Sequence, residues 1–389
     1  MGRLDHVHVN TALSKHPSTG STSTYQVGRA LERRWPPEWQ HGSRRTQLSI
    51  LSRLPVNQNP RQPRTRTGRL RVGIIGTGFG SRVAAGAFQE SDWEVIDVVT
   101  ARDPVSVRAL CRSRVDLIAV HSPPFLHAVH VTWAIDAGHA VLCEKPFGTS
   151  VAEATAMTEA AEASGVANFL NFEFRFQPAR LAMAKLIDSG AIGSPEHFAY
   201  TVYTSASRVP MRTWGWLFDR SRGGGWIGAF GSHAIDLIRW LLGDITRTGA
   251  ETWITVTERP DADGSMRRCD AEDAFAGWAE LRSGATATIN SSFAARVSVT
   301  PRSVILGSEG AIENIGDARV VVRKGDGSTE QLEFEPRAGD PHAEAMTAWT
   351  AVIRDSVLTG KPIAPSFADG LACMKVMEQW RAADREAAR

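Results

Sequence analysis

The sequence predicts a two-domain α/β protein, a parallel sheet covered on both faces followed by a mainly antiparallel α+β domain. Three observations carry this. Between Leu70 and Leu170, short apolar runs alternate with helical segments at the spacing of βαβ units. The first of those runs breaks into closely spaced glycines, Gly76, Gly78 and Gly80. After Pro178 the rhythm changes to strands joined by turns such as Arg282-Ser-Gly284, which suits antiparallel pairing.

The elements follow in order. Leu70–Ile75 reads as a buried strand and Ser81–Gln89 as the helix opening after the glycines. Glu94–Thr100 is the second strand, Val105–Cys111 a short helix and Asp116–Val120 the third strand. Phe125–Ala137 fits a helix stopped by Gly138, and Ala140–Cys143 is the next strand. Ser150-Val-Ala-Glu153 is a capping box that opens a helix ending at Gly165, and Val166–Leu170 follows as a strand. A helix after Pro178 runs to Ile187. Strands are then predicted over Glu196–Ser205, Thr252–Glu258, Ala274–Arg282, Ala285–Phe293, Ser303–Gly307, Ala318–Arg323 and Glu330–Phe334. One helix interrupts them at Ala229–Leu242, and two close the chain at His342–Leu358 and Phe367–Ala387. The predicted domains are 69–170 and 171–389.

Composition sets limits on function. The chain has 389 residues, 42% of them apolar, and no run approaches the roughly 20 apolar residues of a membrane helix. The first 70 residues hold 12 Lys and Arg against 3 Asp and Glu, whereas the remainder holds 32 against 39. The mildly acidic body excludes a nucleic-acid surface. Residues 1–68, rich in Ser, Thr, Pro, Gln and Arg, cannot bury enough apolar surface to offset their ordering entropy and read as a disordered basic extension. Cys111, Cys143, Cys269 and Cys373 are scattered without a CxxC pair, which argues against a metal centre or disulfide framework and for a reduced, cytoplasmic setting.

Two motifs carry chemistry. In Val72-Gly-Ile-Ile-Gly76-Thr77-Gly78-Phe79-Gly80-Ser81 a strand turns tightly into a helix, the form that cradles a dinucleotide pyrophosphate. Ser81 stands where a third small residue is usual. The second strand ends in Thr100-Ala101-Arg102-Asp103, with no acid at Ala101 to take the ribose hydroxyls. The planar fork of Arg102 suits a 2′-phosphate instead, which favours NADP over NAD. The second motif is Glu144-Lys145-Pro146, directly after a buried strand. A lysine there is placed to exchange a proton with a substrate hydroxyl.

With Ser122-Pro-Pro-Phe-Leu-His127, Glu144-Lys145-Pro146, Asn171-Phe-Glu-Phe-Arg175-Phe-Gln-Pro178 and Gly223-Gly-Gly225 leading to His233, the chain resembles the Gfo/Idh/MocA oxidoreductases from about Leu70 onward. The resemblance implies an NAD- or NADP-dependent dehydrogenase acting on a CH–OH group of a sugar, cyclitol or similar small molecule. Lys145 would be the general acid/base and His233 its partner facing the substrate. Ser122, Pro123 and His127 would line the cofactor and Glu144 would lie near the nicotinamide ribose. Arg175 and His233 are expected substrate contacts; Trp214, in the loop Arg208–Trp216, is placed either to stack on the substrate or to pack the sheet edge. A homodimer or homotetramer is expected. The family also contains members that use nicotinamide in glycoside cleavage, or that bind cofactor in a regulatory role.

The sequence departs from the family pattern twice. Ala229 occupies the position four residues before His233 where many members carry an aspartate. Only 15 residues separate Thr100 from Asp116, too few for the usual helix, edge strand and helix, so one edge strand should be missing.

Overall fold

The computed structural model describes residues 68–335 and 339–387, with side chains to Ala382. The expected disordered extension lies outside the described residues except for Gly68. Five strands form the parallel sheet: β1 (Leu70–Ile75), β2 (Trp93–Val99), β3 (Leu117–Val120), β4 (Ala140–Cys143) and β5 (Asn168–Leu170). Their order is β2-β1-β3-β4-β5. A single helix, α2 (Pro104–Cys111), connects β2 to β3, so β2 is the edge and the expected extra strand is indeed missing.

Alternation along these strands feeds two cores, as a period of two requires. Val72, Ile74, Leu117, Ala119, Leu142 and Phe169 face one side. Ile75, Ile118, Val120, Val141, Cys143 and Leu170 face the other. On that second side lie α2, α3 (His127–Asp136) and α4 (Val151–Ser164). The side chain of Leu110 comes so close to β1 that a Cβ on Gly73 would lie 2.8 Å from it.

The first face is covered differently from the expected layout. Its helices are α1 (Ala85–Glu90), continuous with a π-helical turn at Gly80–Ala84, and α7 (Ala343–Thr359) from near the end of the chain. Met346, Trp349, Val352 and Ile353 belong to the same core as β1. The indole of Trp349 stacks on Phe176 at 4.7 Å and meets Phe169 edge-on at 6.0 Å. The segment expected to form a separate domain over 171–389 therefore supplies a layer of the first one.

The second sheet has eight strands in the order β15-β14-β13-β12-β6-β11-β10-β7, all pairs antiparallel except β6–β11. They are β6 (Pro195–Tyr203), β7 (Ile245–Trp253), β10 (Ala274–Leu281), β11 (Thr286–Ser292), β12 (Val299–Gly307), β13 (Gly310–Ile315), β14 (Arg319–Lys324) and β15 (Thr329–Glu333). The inner face packs on α5 (Pro178–Asp188), α6 (Ser232–Leu242) and α8 (Phe367–Ala387). Strand β13 is absent from the sequence-based expectation, and so is the hairpin β8 (Glu258–Pro260) with β9 (Met266–Arg268).

The strand expected at Thr252–Glu258 is displaced. The paired segment ends at Trp253, and the Asp273 carboxylate then takes the amides of Thr255 and Val256 at 2.8 and 2.9 Å, drawing the chain out of the ladder. The helix expected from Ala229 begins as a π-helical turn, Ile227–Gly231, and becomes α-helical at Ser232.

Because Trp349 is wholly buried between α7 and the parallel sheet, Trp349→Ala should cost about 3–5 kcal/mol. Urea denaturation followed by circular dichroism checks this; a loss under about 1 kcal/mol would show that α7 contributes little to the parallel-sheet layer.

Candidate active site

The strand ends of the parallel sheet converge on one carboxylate. Glu144, just past β4, has Oε1 bonded by His121 Nδ1 at 2.8 Å and by Asn171 Nδ2 at 2.7 Å. Its Oε2 accepts the backbone amide of Lys145 at 3.1 Å. His121 follows β3 and Asn171 follows β5, so Glu144 links three neighbouring strands. Burial pushes this carboxyl up, but the hydrogen bond and charge of His121, then Lys145 and Asn171, outweigh it and hold the group well below the usual carboxylate range. Neither His121 nor Asn171 is singled out by sequence reasoning, since a lone His or Asn at a strand end carries no spacing signal.

Lys145 precedes a cis peptide to Pro146. Its Nζ donates to the carbonyl of Ala229 at 2.8 Å. Where the family often has a carboxylate, this chain thus offers the lysine a backbone oxygen within the π-helical turn. π-bulges of this kind frequently mark functional positions. The turn abuts the motif: a Cβ on Gly228 would lie 3.3 Å from Pro146 Cγ, and one on Gly223 would lie 2.9 Å from Pro124. Gly223 and Gly228 thereby permit close packing of this segment on the Pro124 and Pro146 turns.

One helical turn beyond Ala229 lies His233, 3% exposed, its ring against Phe174 at 4.4 Å and Phe172 at 5.8 Å. Burial, followed by the charges of Lys145, His342 and Arg180, pushes its pKa well down, so the imidazole is neutral at pH 7. Its Nε2 is buried and has no hydrogen-bond partner among the described residues. The nearest carboxylate oxygen, Glu173 Oε1, is 3.9 Å away. Lys145 and His233 are therefore brought to one place, as the resemblance implies.

The glycine turn fits a dinucleotide. Gly76 has φ +122°, and a Cβ there would collide with the His121 carbonyl. Its amide donates to Val99 O at 2.8 Å, tying the turn to β2. A Cβ on Gly78 would meet nothing, and Thr77, Gly78 and Ser81 are exposed, which leaves open space above the turn. Gly80 does the work expected of position 81, since a Cβ there would lie 2.9 Å from Ile74 and force the helix off the strand. Phe79 is half-buried against His121, with ring centroids 5.5 Å apart. Arg102 is exposed beside the turn. Asp103 caps α2 through Val105 N at 3.0 Å.

Three expected contacts are placed elsewhere. Arg175 does not reach out to a substrate: its Nε donates to Asp236 at 2.7 Å and its Nη2 to Asp369 at 3.1 Å, with 5% of its side chain exposed. It joins α6 to α8. Trp214 gives its indole N–H to Arg268 O at 3.1 Å, lies under the Arg267 guanidinium and packs on the cluster of Phe218, Cys269 and Phe293. His127 has no exposed surface; its Nε2 donates to Ser122 O at 2.8 Å, bracing the Ser122–Pro124 turn from behind. Burial lowers its pKa. Burial again, aided by the charge of His127, pushes neighbouring His130 down to about 4. Ser122 is buried, with its hydroxyl paired to His130, and Pro123 is half-buried. Among the described residues no group of three His, Cys, Asp or Glu could hold a metal, and no helix is long and apolar enough to cross a membrane.

These features define an oxidoreductase with a nicotinamide-dinucleotide domain, and comparison with known proteins agrees. Residues 70–172 match the oxidoreductase family with NAD-binding Rossmann fold, and residues 181–313 match the GFO/IDH/MocA C-terminal domain. The chain belongs to the Gfo/Idh/MocA family. An uncharacterized oxidoreductase of Synechocystis sp. is 31% identical over 54% of this chain, and the match spans 62% of that protein's own length. D-apiose dehydrogenase of Paraburkholderia graminis is 27% identical over 74% of this chain and 78% of its own. Among solved structures, levoglucosan dehydrogenase in complex with NADH and levoglucosan superposes with a TM-score of 0.73 at 22% identity. That superposition covers 82% of this chain and 98% of the other, a likeness of fold.

The ion-pair geometry has measurable consequences for stability. Arg175→Ala strands the buried Asp236 and should destabilise by about 3–5 kcal/mol in urea melts; unchanged stability would restore Arg175 as a free ligand contact. Since the Glu144 pKa is depressed on folding, its contribution is present above the ordinary carboxyl value of about 4.3 and is lost as pH falls through the folded value. Glu144→Gln should therefore lower stability by about 1–3 kcal/mol at pH 7, with the deficit shrinking below about pH 4.

Proposed function

We propose that this protein oxidises a secondary hydroxyl of a sugar, cyclitol or related polyol, or reduces the corresponding ketone, with NAD(P) as hydride partner. The observation that carries the reading is the position of Lys145. Its backbone is fixed through Glu144, its Nζ rests on Ala229 O, and the partnerless Nε2 of neutral His233 lies one turn further along. The relative D-apiose dehydrogenase supports the polyol class.

Gly76, Gly78 and the turn into α1 would hold the pyrophosphate, Ser122 and Pro123 the adjoining part of the dinucleotide, and Glu144 would lie near the nicotinamide ribose. The bound nicotinamide supplies the hydride acceptor or donor. Lys145 takes the hydroxyl proton as the alcohol becomes a ketone and returns it in reduction. His233 faces the substrate beside Lys145, its Nε2 free for a second substrate group. Exposed Arg102, with Ala101 where an acid would select NAD, favours NADP through its 2′-phosphate.

Copies of the chain pair through the outer face of the large sheet. There Tyr203, Trp253, Trp278 and Leu306 are exposed together, which supports a homodimer or homotetramer. The setting is cytoplasmic, in keeping with four buried free cysteines. Ala229 favours a second reading, a non-redox use of the same site such as nicotinamide-assisted glycoside cleavage or cofactor-dependent regulation.

A thermal-shift titration with NAD(H) and NADP(H), then an oxidation panel of myo-inositol, D-apiose, levoglucosan and D-xylose, tests the reading. Lys145→Met should reduce turnover by at least roughly 10²-fold while cofactor-induced shifts persist. Loss of the shift would make Lys145 a cofactor ligand, and absence of any shift in the wild type would remove the cofactor. Arg102→Ala should weaken NADP about tenfold or more with little effect on NAD; equal effects would return the arginine to the solvated surface.

A further inference from the structure

The pocket that lacks an acid at position 229 contains one from elsewhere in the chain. Glu173, 1% exposed, stands in the short 3₁₀ turn Glu173–Phe176 that leads from the parallel sheet into α5. Its Oε1 accepts from His342 Nδ1 at 2.7 Å. The same oxygen lies 3.9 Å from His233 Nε2, too far for a hydrogen bond. Glu173 Oε2 and His233 Nε2 are both buried, and both are without a hydrogen-bond partner among the described residues.

Such orphans are rare in folded proteins, and each is costly unless a ligand or water completes it. The surrounding aromatic rings keep the group in this arrangement. Phe174 stacks on His342 at 4.7 Å and lies against His233 at 4.4 Å, while Phe172 meets His233 edge-on at 5.8 Å. His342 also meets Phe79 of the glycine turn edge-on at 5.4 Å. One imidazole thus touches both the cofactor turn and the pocket carboxylate.

We propose that Glu173 is the substrate-binding carboxylate of this pocket, positioned by His342, and that it accepts a hydroxyl on the carbon next to the one oxidised. The inference rests on the oxidoreductase reading above and assigns to Glu173 the recognition of the hydroxyl adjacent to the reacting one. A hydroxyl matches the two vacant valences, because its oxygen can accept from the His233 N–H while its proton goes to the carboxylate. An oxygen about 2.8 Å from each partner spans the gap between Nε2 and the carboxylate. No such match exists for an isolated secondary alcohol, whose single hydroxyl is already taken by Lys145. His342 is a positioning residue, acting through Glu173.

The test compares cyclohexanol, trans-1,2-cyclohexanediol and myo-inositol, with the panel compound turned over fastest as reference substrate. The wild type should use the diol-containing compounds and discriminate against cyclohexanol by at least tenfold in kcat/KM. Glu173→Gln should raise KM for the reference substrate at least tenfold and abolish that discrimination, with KM for the cofactor unchanged. Glu173→Asp, which retains the charge, should recover part of the loss, and His342→Gln should give an intermediate rise in KM with kcat largely retained. Thermal melts of the variants separate these effects from unfolding. Unchanged KM and discrimination in folded Glu173→Gln would overturn the proposal, as would a folded Glu173→Asp with no discrimination left, or a wild type that prefers cyclohexanol. A wild type that binds cofactor but oxidises nothing in the panel would overturn it through the oxidoreductase reading, a failure visible before any variant is made.

Discussion

Glu144 sits where three parallel strands end, and its two oxygens take hydrogen bonds from His121 on one side, Asn171 on the other and the amide of Lys145 between them. A carboxylate this deeply buried survives only if it is paired and fully hydrogen-bonded. Meeting that demand fixes the relative heights of β3, β4 and β5, and with them the exit direction of the lysine. The glycine turn depends on the same arrangement, because the His121 carbonyl leaves no room for a side chain at Gly76. Cofactor cradle and proton-exchange group are therefore set by one local hydrogen-bond network.

The second half of the site comes from far along the chain. The π-helical turn at Ile227–Gly231 brings Ala229 O to Lys145 Nζ, and α6 then presents His233 beside Phe172 and Phe174. α7 returns to cover the first sheet, and the residue just before it, His342, pairs with Glu173. Folding of the parallel sheet and completion of the pocket are thus coupled, since the helix bearing Trp349 serves both.

Much of this was legible in the sequence because it is local. Short apolar runs marked the parallel strands, the glycine spacing marked the turn, and the 15-residue gap after Thr100 correctly announced the missing edge strand. Lys145 and His233 were identifiable from motifs and do come together. What escaped was set by distant partners. Arg175 sits in a family-like stretch, but only the fold shows Asp236 and Asp369 closing on it. The Glu173–His342 pair spans 169 residues, and neither member has a spacing signature. β7 was expected at Thr252–Glu258 but runs over Ile245–Trp253, and its end is set by the Asp273 side chain, 18 residues from Thr255, which captures the amides that would have continued the strand. Gly80 and Ser81 exchanged roles because the helix opens with a π-helical turn, which shifts the register of close packing by one residue.

The central claim is direct hydride transfer at the pocket between the glycine turn and Lys145. Incubation of the protein with oxidised NADP or NAD and perdeuterated myo-inositol, or another perdeuterated polyol that it turns over, tests this by mass spectrometry of the reduced cofactor. One deuterium should be carried from the substrate carbon to the nicotinamide ring. Reduced cofactor without deuterium, or a polyol chemically altered while the cofactor ends unchanged, would contradict it.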